Sequence, residues 1–145
     1  MSVGRICVRH VDIAAMNESA LVAARRMQNR HVGTLVVIDK ERRPQGILTD
    51  RDLVVQVLAQ SRDADRTLVG DVMSKLPTLI HEETPIEEAL SVMRSGPCRR
   101  LIVIDRPGHL VGILSLDDVL ALVSEEFKEV SGLLRKESPQ SLAAG

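Results

Sequence analysis

A short segment occurs twice in this chain of 145 residues, and its spacing limits the available folds more than any other feature. The copies are Gly46-Ile47-Leu48-Thr49-Asp50-Arg51-Asp52 and Gly112-Ile113-Leu114-Ser115-Leu116-Asp117-Asp118, 66 residues apart. The same offset lays Val3-Gly4-Arg5-Ile6-Cys7 on Val69-Gly70-Asp71-Val72-Met73, Ala23 on Ala89, and Met27 on Met93. It also lays Leu35-Val36-Val37-Ile38-Asp39 on Leu101-Ile102-Val103-Ile104-Asp105. Between residues 34–54 and 100–120, eight of 21 positions are identical, where roughly one or two would match by chance from average residue usage. The chain is therefore a tandem duplication, residues 3–68 and 69–134. Residues 135–145, rich in Ser, Ala and other small or polar types, read as a disordered tail.

A single half lies near the lower size limit for independent folding, so the halves are expected to share a core. Each copy of the segment reads as a buried strand that turns at once into a helix, with Thr49 or Ser115 as the cap and an Asp in the first turn. Thr34 to Asp39 and Gln45 to Thr49 are rich in Val, Ile and Leu and flank the polar Lys40 to Pro44, the pattern of two strands joined by a turn. The second copy repeats it around Arg106 to His109. Residues 6–15 suit a short edge strand after an irregular lead-in. A helix follows, with Asn17, Glu18 or Ser19 as cap and Ala20, Ala23, Ala24 and Met27 facing inward. Its counterpart offers Thr84 as cap, Pro85 in the first helical position and Glu87 to close a capping box. After the motif, Leu53, Val54, Val57 and Leu58 form one apolar helix face, and Gln60 to Arg66 reads as the linker. The last helix keeps Leu116, Val119, Leu120, Val123, Phe127, Val130 and Leu134 at spacings of three and four, a stripe that outlasts the domain and calls for another surface. Each half is then strand, helix, strand, strand, helix. The fold class is α+β, with two pseudo-symmetric β-α-β-β-α repeats packed sheet to sheet.

Charge and composition exclude several roles. A net charge of -1 and one aromatic residue leave neither a basic footprint for nucleic acid nor a stacking platform for single strands. Cys7 and Cys98 fit no metal or disulfide spacing and read as small apolar residues of a reduced compartment. No charged start precedes an apolar stretch, and no run approaches the length of a membrane span, so a cytoplasmic protein is expected. The four histidines are scattered, without a zinc-protease, nucleophile-elbow or phosphate-loop motif, and the chain is expected not to be an enzyme.

The Thr49/Asp52 and Ser115/Asp118 pairs support two compatible readings. A hydroxyl followed three residues later by an acid is a helix-capping pattern. The same pair, at the carboxyl end of a strand entering a helix, offers NH groups to an anionic ligand group, and the Asp can accept from the paired hydroxyls of a ribose.

In these residues the chain resembles a tandem pair of cystathionine beta-synthase (CBS) domains, also called a Bateman module. The likeness rests on GILTDRD and GILSLDD, on the LVVID and LIVID strands before them, and on the VGRIC and VGDVM starts, and it covers about residues 3–125. It implies two clefts, centred on Thr49 with Asp52 and on Ser115 with Asp118, each completed by the first-strand region of the opposite repeat. It also implies AMP, ADP or ATP as a regulatory ligand with no required cofactor, S-adenosylmethionine being the alternative. Arg99 and Arg100, just before the strand Leu101 to Ile104, would meet ligand phosphates, or else remain solvated charges. The first copy has Gly33 and Thr34 there, so its grip would come from Arg51 or from the arginines of the other cleft. Without Trp or Tyr, adenine would lie between aliphatic side chains such as Ile47, Ile113, Leu79 or Ile13.

The function expected is a stand-alone regulatory module. The competing reading is a ligand-free scaffold for dimerisation and partner docking. The resemblance implies a homodimer, and the uneven charge, +3 over residues 1–68 and -4 over 69–145, favours head-to-tail pairing. No regulated partner is indicated.

Overall fold

The computed structural model describes residues 1–75, 78–96 and 99–136. The first half runs α1 (Val3–Ile6), β1 (Ile13–Ala15), α2 (Ala20–Arg30), β2 (Thr34–Ile38), β3 (Pro44–Thr49) and α3 (Asp50–Leu53), prolonged by a π-helical segment, Val54–Leu58. The second runs α4 (Val69–Val72), β4 (Ser74–Lys75), β5 (Leu79–His81), α5 (Ile86–Ser95), β6 (Arg100–Ile104), β7 (Leu110–Ser115) and α6 (Leu116–Lys136). The architecture is mixed α+β, with sheets ordered β1-β2-β3-β4 and β5-β6-β7.

Pairing in the two sheets follows the 66-residue offset. Thr34 opposes Thr49 and Val36 opposes Ile47 in one sheet, while Arg100 opposes Ser115 and Ile102 opposes Ile113 in the other. Even the register shift recurs, between Val37 and Ile38 and between Val103 and Ile104. Two runs of β-branched and Leu residues joined by a polar turn have therefore folded twice into one hairpin geometry.

Because side chains alternate across a strand, each central strand supplies two cores. Leu35, Val37 and Leu48 face α2 in the first half, and Leu101, Val103 and Leu114 face α5 in the second. Val36 and Ile38 meet Ile102, Ile104 and Leu110 in a third core where the sheets pack face to face, with Ile13, Ile47 and Ile113 at its margin.

The lead-in of each repeat belongs to the other repeat's core. Val3 and Cys7 pack with Ile80, Leu101 and Leu114, whereas Val69 and Val72 pack with Ala14, Leu35 and Leu48. Val8 exchanges backbone hydrogen bonds with Ile113 at 2.8 and 3.0 Å, as Ser74 pairs with Ile47. Gly46 and Gly112 permit this approach: a methyl group on either would overlap the Ser74 or the Val8 carbonyl oxygen. The covalent repeat and the packed unit thus differ, which couples the halves. Burial pushes the Cys7 thiol above its ordinary value, consistent with an inert apolar role; Cys98 lies outside the described residues.

Four local expectations need adjustment. The strand expected within residues 6–15 is only Ile13–Ala15; Ile6 ends a helical turn, and Val8 makes an isolated antiparallel bridge to Ile113. Thr84 does not cap α5: Pro85 occupies the cap position without a side-chain hydrogen bond, and the Ile86 amide donates to the Met1 carbonyl at 3.0 Å. The helix after Thr49 widens into a π-turn, and of its expected apolar face only Val57 is buried while Leu58 is 74% exposed. The last helix extends through Arg135 and Lys136; the rest of the expected tail, residues 137–145, lies outside the described residues. Ser19, by contrast, caps α2 by accepting from the Val22 amide at 3.1 Å. Among the described residues no helix is long and apolar enough to cross a membrane.

Candidate functional site: two clefts at the strand-to-helix junctions

Both copies of the repeated segment end a strand and begin a helix. Thr49 Oγ1 accepts from the Asp52 amide at 3.2 Å, and Asp52 Oδ2 accepts from the Thr49 amide at 2.9 Å. That reciprocal pair is a capping box. At the second junction Ser115 Oγ accepts from the Asp118 amide at 3.2 Å, while Asp118 Oδ2 accepts from the Ser115 hydroxyl at 2.7 Å and its amide at 3.3 Å. The structural reading of these residues is therefore realised. It leaves chemistry over, because Oδ1 of each aspartate has no hydrogen-bond partner among the described residues. Both carboxylates are half-buried, fixed in orientation, and able to accept from a ligand's hydroxyl groups.

Alternation along β3 and β7 puts Ile47 with Thr49, and Ile113 with Ser115, on the side of each sheet that turns toward the other repeat. A cleft of about 260 Å³ opens at the first junction, lined by Ile47, Thr49, Asp52, Ser74, Arg99 and Arg100. A second, about 310 Å³, opens at the other, where Ile113, Ser115, Asp118 and Arg100 meet Val8, His10, Val11, Asp12, Val32, Gly33 and Thr34. Each cleft takes its junction from one repeat and its far wall from the other. Arg100 lines both, and its Nη1 donates to Thr34 Oγ1 at 3.2 Å.

The geometry thus groups Thr49, Asp52, Ile47, Arg99 and Arg100 in one cleft, and Ser115, Asp118, Ile113 and Arg100 in the other. Arg99 faces the first junction, across from its own repeat. Ile13, Leu79 and Arg51 line neither cleft. Ile13 is held at the margin of the inter-sheet core, Leu79 stands 44% exposed, and Arg51, on the outer turn of α3, is exposed. Sequence reasoning missed Val8, Asp12, Thr34 and Ser74 individually. The available signal was the offset, which equates Val8 with Ser74 and Thr34 with Arg100.

A larger depression, about 720 Å³, lies elsewhere, beside β1, Arg26 of α2 and the end of β2. Asp12, Glu18, Arg26 and Asp39 there already have partners. Arg26 pairs with both oxygens of Glu18 and donates to the Ile13 carbonyl at 2.9 Å. The Glu18 carboxylate also accepts from the Ala15 amide at 2.8 Å. Hydrogen bonding from Arg26 holds the Glu18 carboxyl below its ordinary value, and Glu18 in turn raises Arg26. Asp39 Oδ1 accepts from the Glu41 and Arg43 amides, both at 2.9 Å. This depression reads as a satisfied sheet edge, and size alone does not make it a ligand site. The two junction clefts are near the lower end of the roughly 300–1,000 Å³ range of small-molecule sites, but they present unused acceptors and guanidinium donors. Among the described residues no group of three or more His, Cys, Asp or Glu could hold a metal ion.

A family model described as "CBS domain" matches twice, at residues 3–59 and 69–125. An uncharacterized protein of Methanopyrus kandleri is 32% identical over 136 residues, spanning 89% of this chain and 69% of its own length. Among solved structures, the CBS-pair protein CBSX2 from Arabidopsis thaliana is 25% identical with a TM-score of 0.75, covering 88% of this chain and 96% of that one. A structure of CBSX2 in complex with AMP is 26% identical with a TM-score of 0.72, covering 86% of this chain and 96% of that one.

Proposed function

The chain belongs to the CBS-domain family, and from that premise we propose that it is a non-enzymatic regulatory module taking an adenine nucleotide, AMP, ADP or ATP, into one or both junction clefts. One observation carries the reading: each cleft joins a carboxylate with an unused oxygen to a guanidinium from the β6 region. The carboxylate suits the paired hydroxyls of a ribose and the guanidinium suits a phosphate. Ile47 or Ile113 offers an apolar wall to the base. The AMP complex of CBSX2 supports the ligand class. Because each cleft has walls from both repeats, a bound nucleotide would favour one packing of the halves over another, which is how binding becomes a regulatory signal.

Isothermal titration of the full chain with AMP, ATP and S-adenosylmethionine tests this. Saturable heat with an adenine nucleotide is the expected result; silence from all three at millimolar concentration removes the reading.

A second reading, assembly, rests on α6. Val119 is its buried residue, while Val123, Phe127, Val130 and Leu134 stand more than half exposed along one stripe. In this reading the stripe seals a homodimer, and the unequal charge of the halves favours head-to-tail pairing. Sedimentation of a chain ended after Ser124 distinguishes the roles: a monomer that still binds nucleotide assigns the end of α6 to assembly.

A further inference from the structure

Residues 34 and 100 are the same position of the two repeats, and they touch each other through the Arg100 to Thr34 hydrogen bond. In an unbroken duplication each cleft would own one copy of whatever side chain stands there. Here one copy is Thr and the other is Arg, and the single guanidinium lines both clefts. The neighbouring position is unequal too: Arg99 lines the first cleft, whereas its counterpart Gly33 brings no side chain to the second. The second cleft therefore has Arg100 as its one Arg or Lys among the lining residues, and the first has Arg100 as one of two.

The geometry points to Arg100 as a shared phosphate clamp that makes the two clefts compete for phosphate-bearing ligands. The inference rests on the nucleotide reading above and adds a regulatory property to it. A guanidinium engages a phosphate through a planar fork of parallel donors, so it serves one phosphate group at a time in its best geometry. A nucleotide in the first cleft that draws Arg100 away from Thr34 leaves the second cleft with the helix start and Asp118 but no cation. A nucleotide that holds Arg100 in the second cleft leaves the first with Arg99 alone. Either way the second binding event meets a weaker site, and by reciprocity each cleft penalises the other by the same factor. The penalty belongs to the phosphate, so a nucleoside without one escapes it.

Isothermal titration of the full chain provides the test, with AMP and adenosine as probes on the wild type, Asp52→Asn and Arg100→Gln. Asn at 52 keeps an oxygen for the Thr49 amide while weakening ribose contact, which impairs the first cleft with the cap in place. Removing a charge-assisted contact of this kind costs on the order of tenfold or more in affinity. The expected pattern is a second AMP event in the wild type about tenfold weaker than the first. In Asp52→Asn, AMP enters the second cleft several-fold more tightly than in that second wild-type event. Arg100→Gln weakens the first event about tenfold, leaves the second near its wild-type value, and so narrows the gap to what Arg99 alone maintains, and adenosine fills the wild-type clefts without interference. An unchanged second-cleft affinity in Asp52→Asn, or an Arg100→Gln that weakens the second event as much as the first, overturns the shared clamp and leaves the nucleotide reading intact. No AMP binding to the folded wild type overturns both.

Discussion

The two repeats share a backbone path and differ in how they use its surface. Registers, the strand irregularity and the strand-to-helix caps match at the 66-residue offset. The edges do not. In the first repeat Arg26 and Glu18 clamp the open side of β1 through the Ile13 carbonyl and the Ala15 amide; the second has Val92 and Thr84 at those positions. Toward the clefts the imbalance reverses, with Arg99 and Arg100 in the second repeat against Gly33 and Thr34 in the first. The duplicated core thus specifies the fold, while the divergent polar positions put the edge clamp in the first half and the cleft-lining arginines in the second.

The comparison breaks most severely if the cores are not equivalent. Leu48→Ala and Leu114→Ala each remove a fully buried side chain at the same position of the two halves. Each should cost about 2–5 kcal/mol in urea unfolding, and the two values should agree within about 1 kcal/mol because the surroundings match. A near-neutral Leu114→Ala beside a costly Leu48→Ala would show that the second half packs loosely.

Exchange of the lead-ins is the next point of attack. Gly46→Ala and Gly112→Ala both drive a methyl group against a backbone carbonyl of the other repeat's lead-in, which cannot rotate away as a side chain would. Each should destabilise by about 1–3 kcal/mol. The two variants together should cost clearly less or more than their sum if the crossings support one another. Strict additivity would show the crossings acting independently.

The edge clamp should give the smallest effect and the sharpest asymmetry. Glu18 has its carboxyl pKa lowered by Arg26, so the pair contributes stability above the ordinary value of 4.5, and this contribution is lost as pH falls through the depressed folded value. The side chains are 32% and 25% exposed, and solvent screening limits the pair to about 1 kcal/mol. Arg26→Ala should therefore lower stability by about that amount at pH 7, and the gap from wild type should shrink well below pH 4.5. A gap that stays constant across that range would assign the loss to packing of the Arg26 stem.

Much of this was legible in the chain. Apolar runs around a polar turn marked each hairpin, and the offset tied the halves together before any coordinate. The two hydroxyl and acid pairs announced their helix starts, and both caps formed. What stayed hidden depends on contacts far apart in sequence. Nothing local to Val8 or Ser74 says that each pairs with the other repeat, and nothing near Arg99 says that it faces the opposite junction. Thr84 failed as a cap because a distant chain end, Met1, supplied the acceptor for the first turn. Ile13 and Leu79, equivalent by offset, ended in different surroundings, one beside the inter-sheet core and one exposed.

In the proposed function an adenine nucleotide sits where one repeat's strand-to-helix junction faces the other repeat's lead-in. Amide-resolved NMR during AMP titration tests it most directly. Saturable shifts are expected at Ser115 to Asp118 together with Val8 to Asp12 and Thr34, or at Thr49 to Asp52 together with Ser74, Arg99 and Arg100. Shifts confined to the larger depression at Ala15 to Glu18 and Ile38 to Lys40, with both junctions silent, would contradict it.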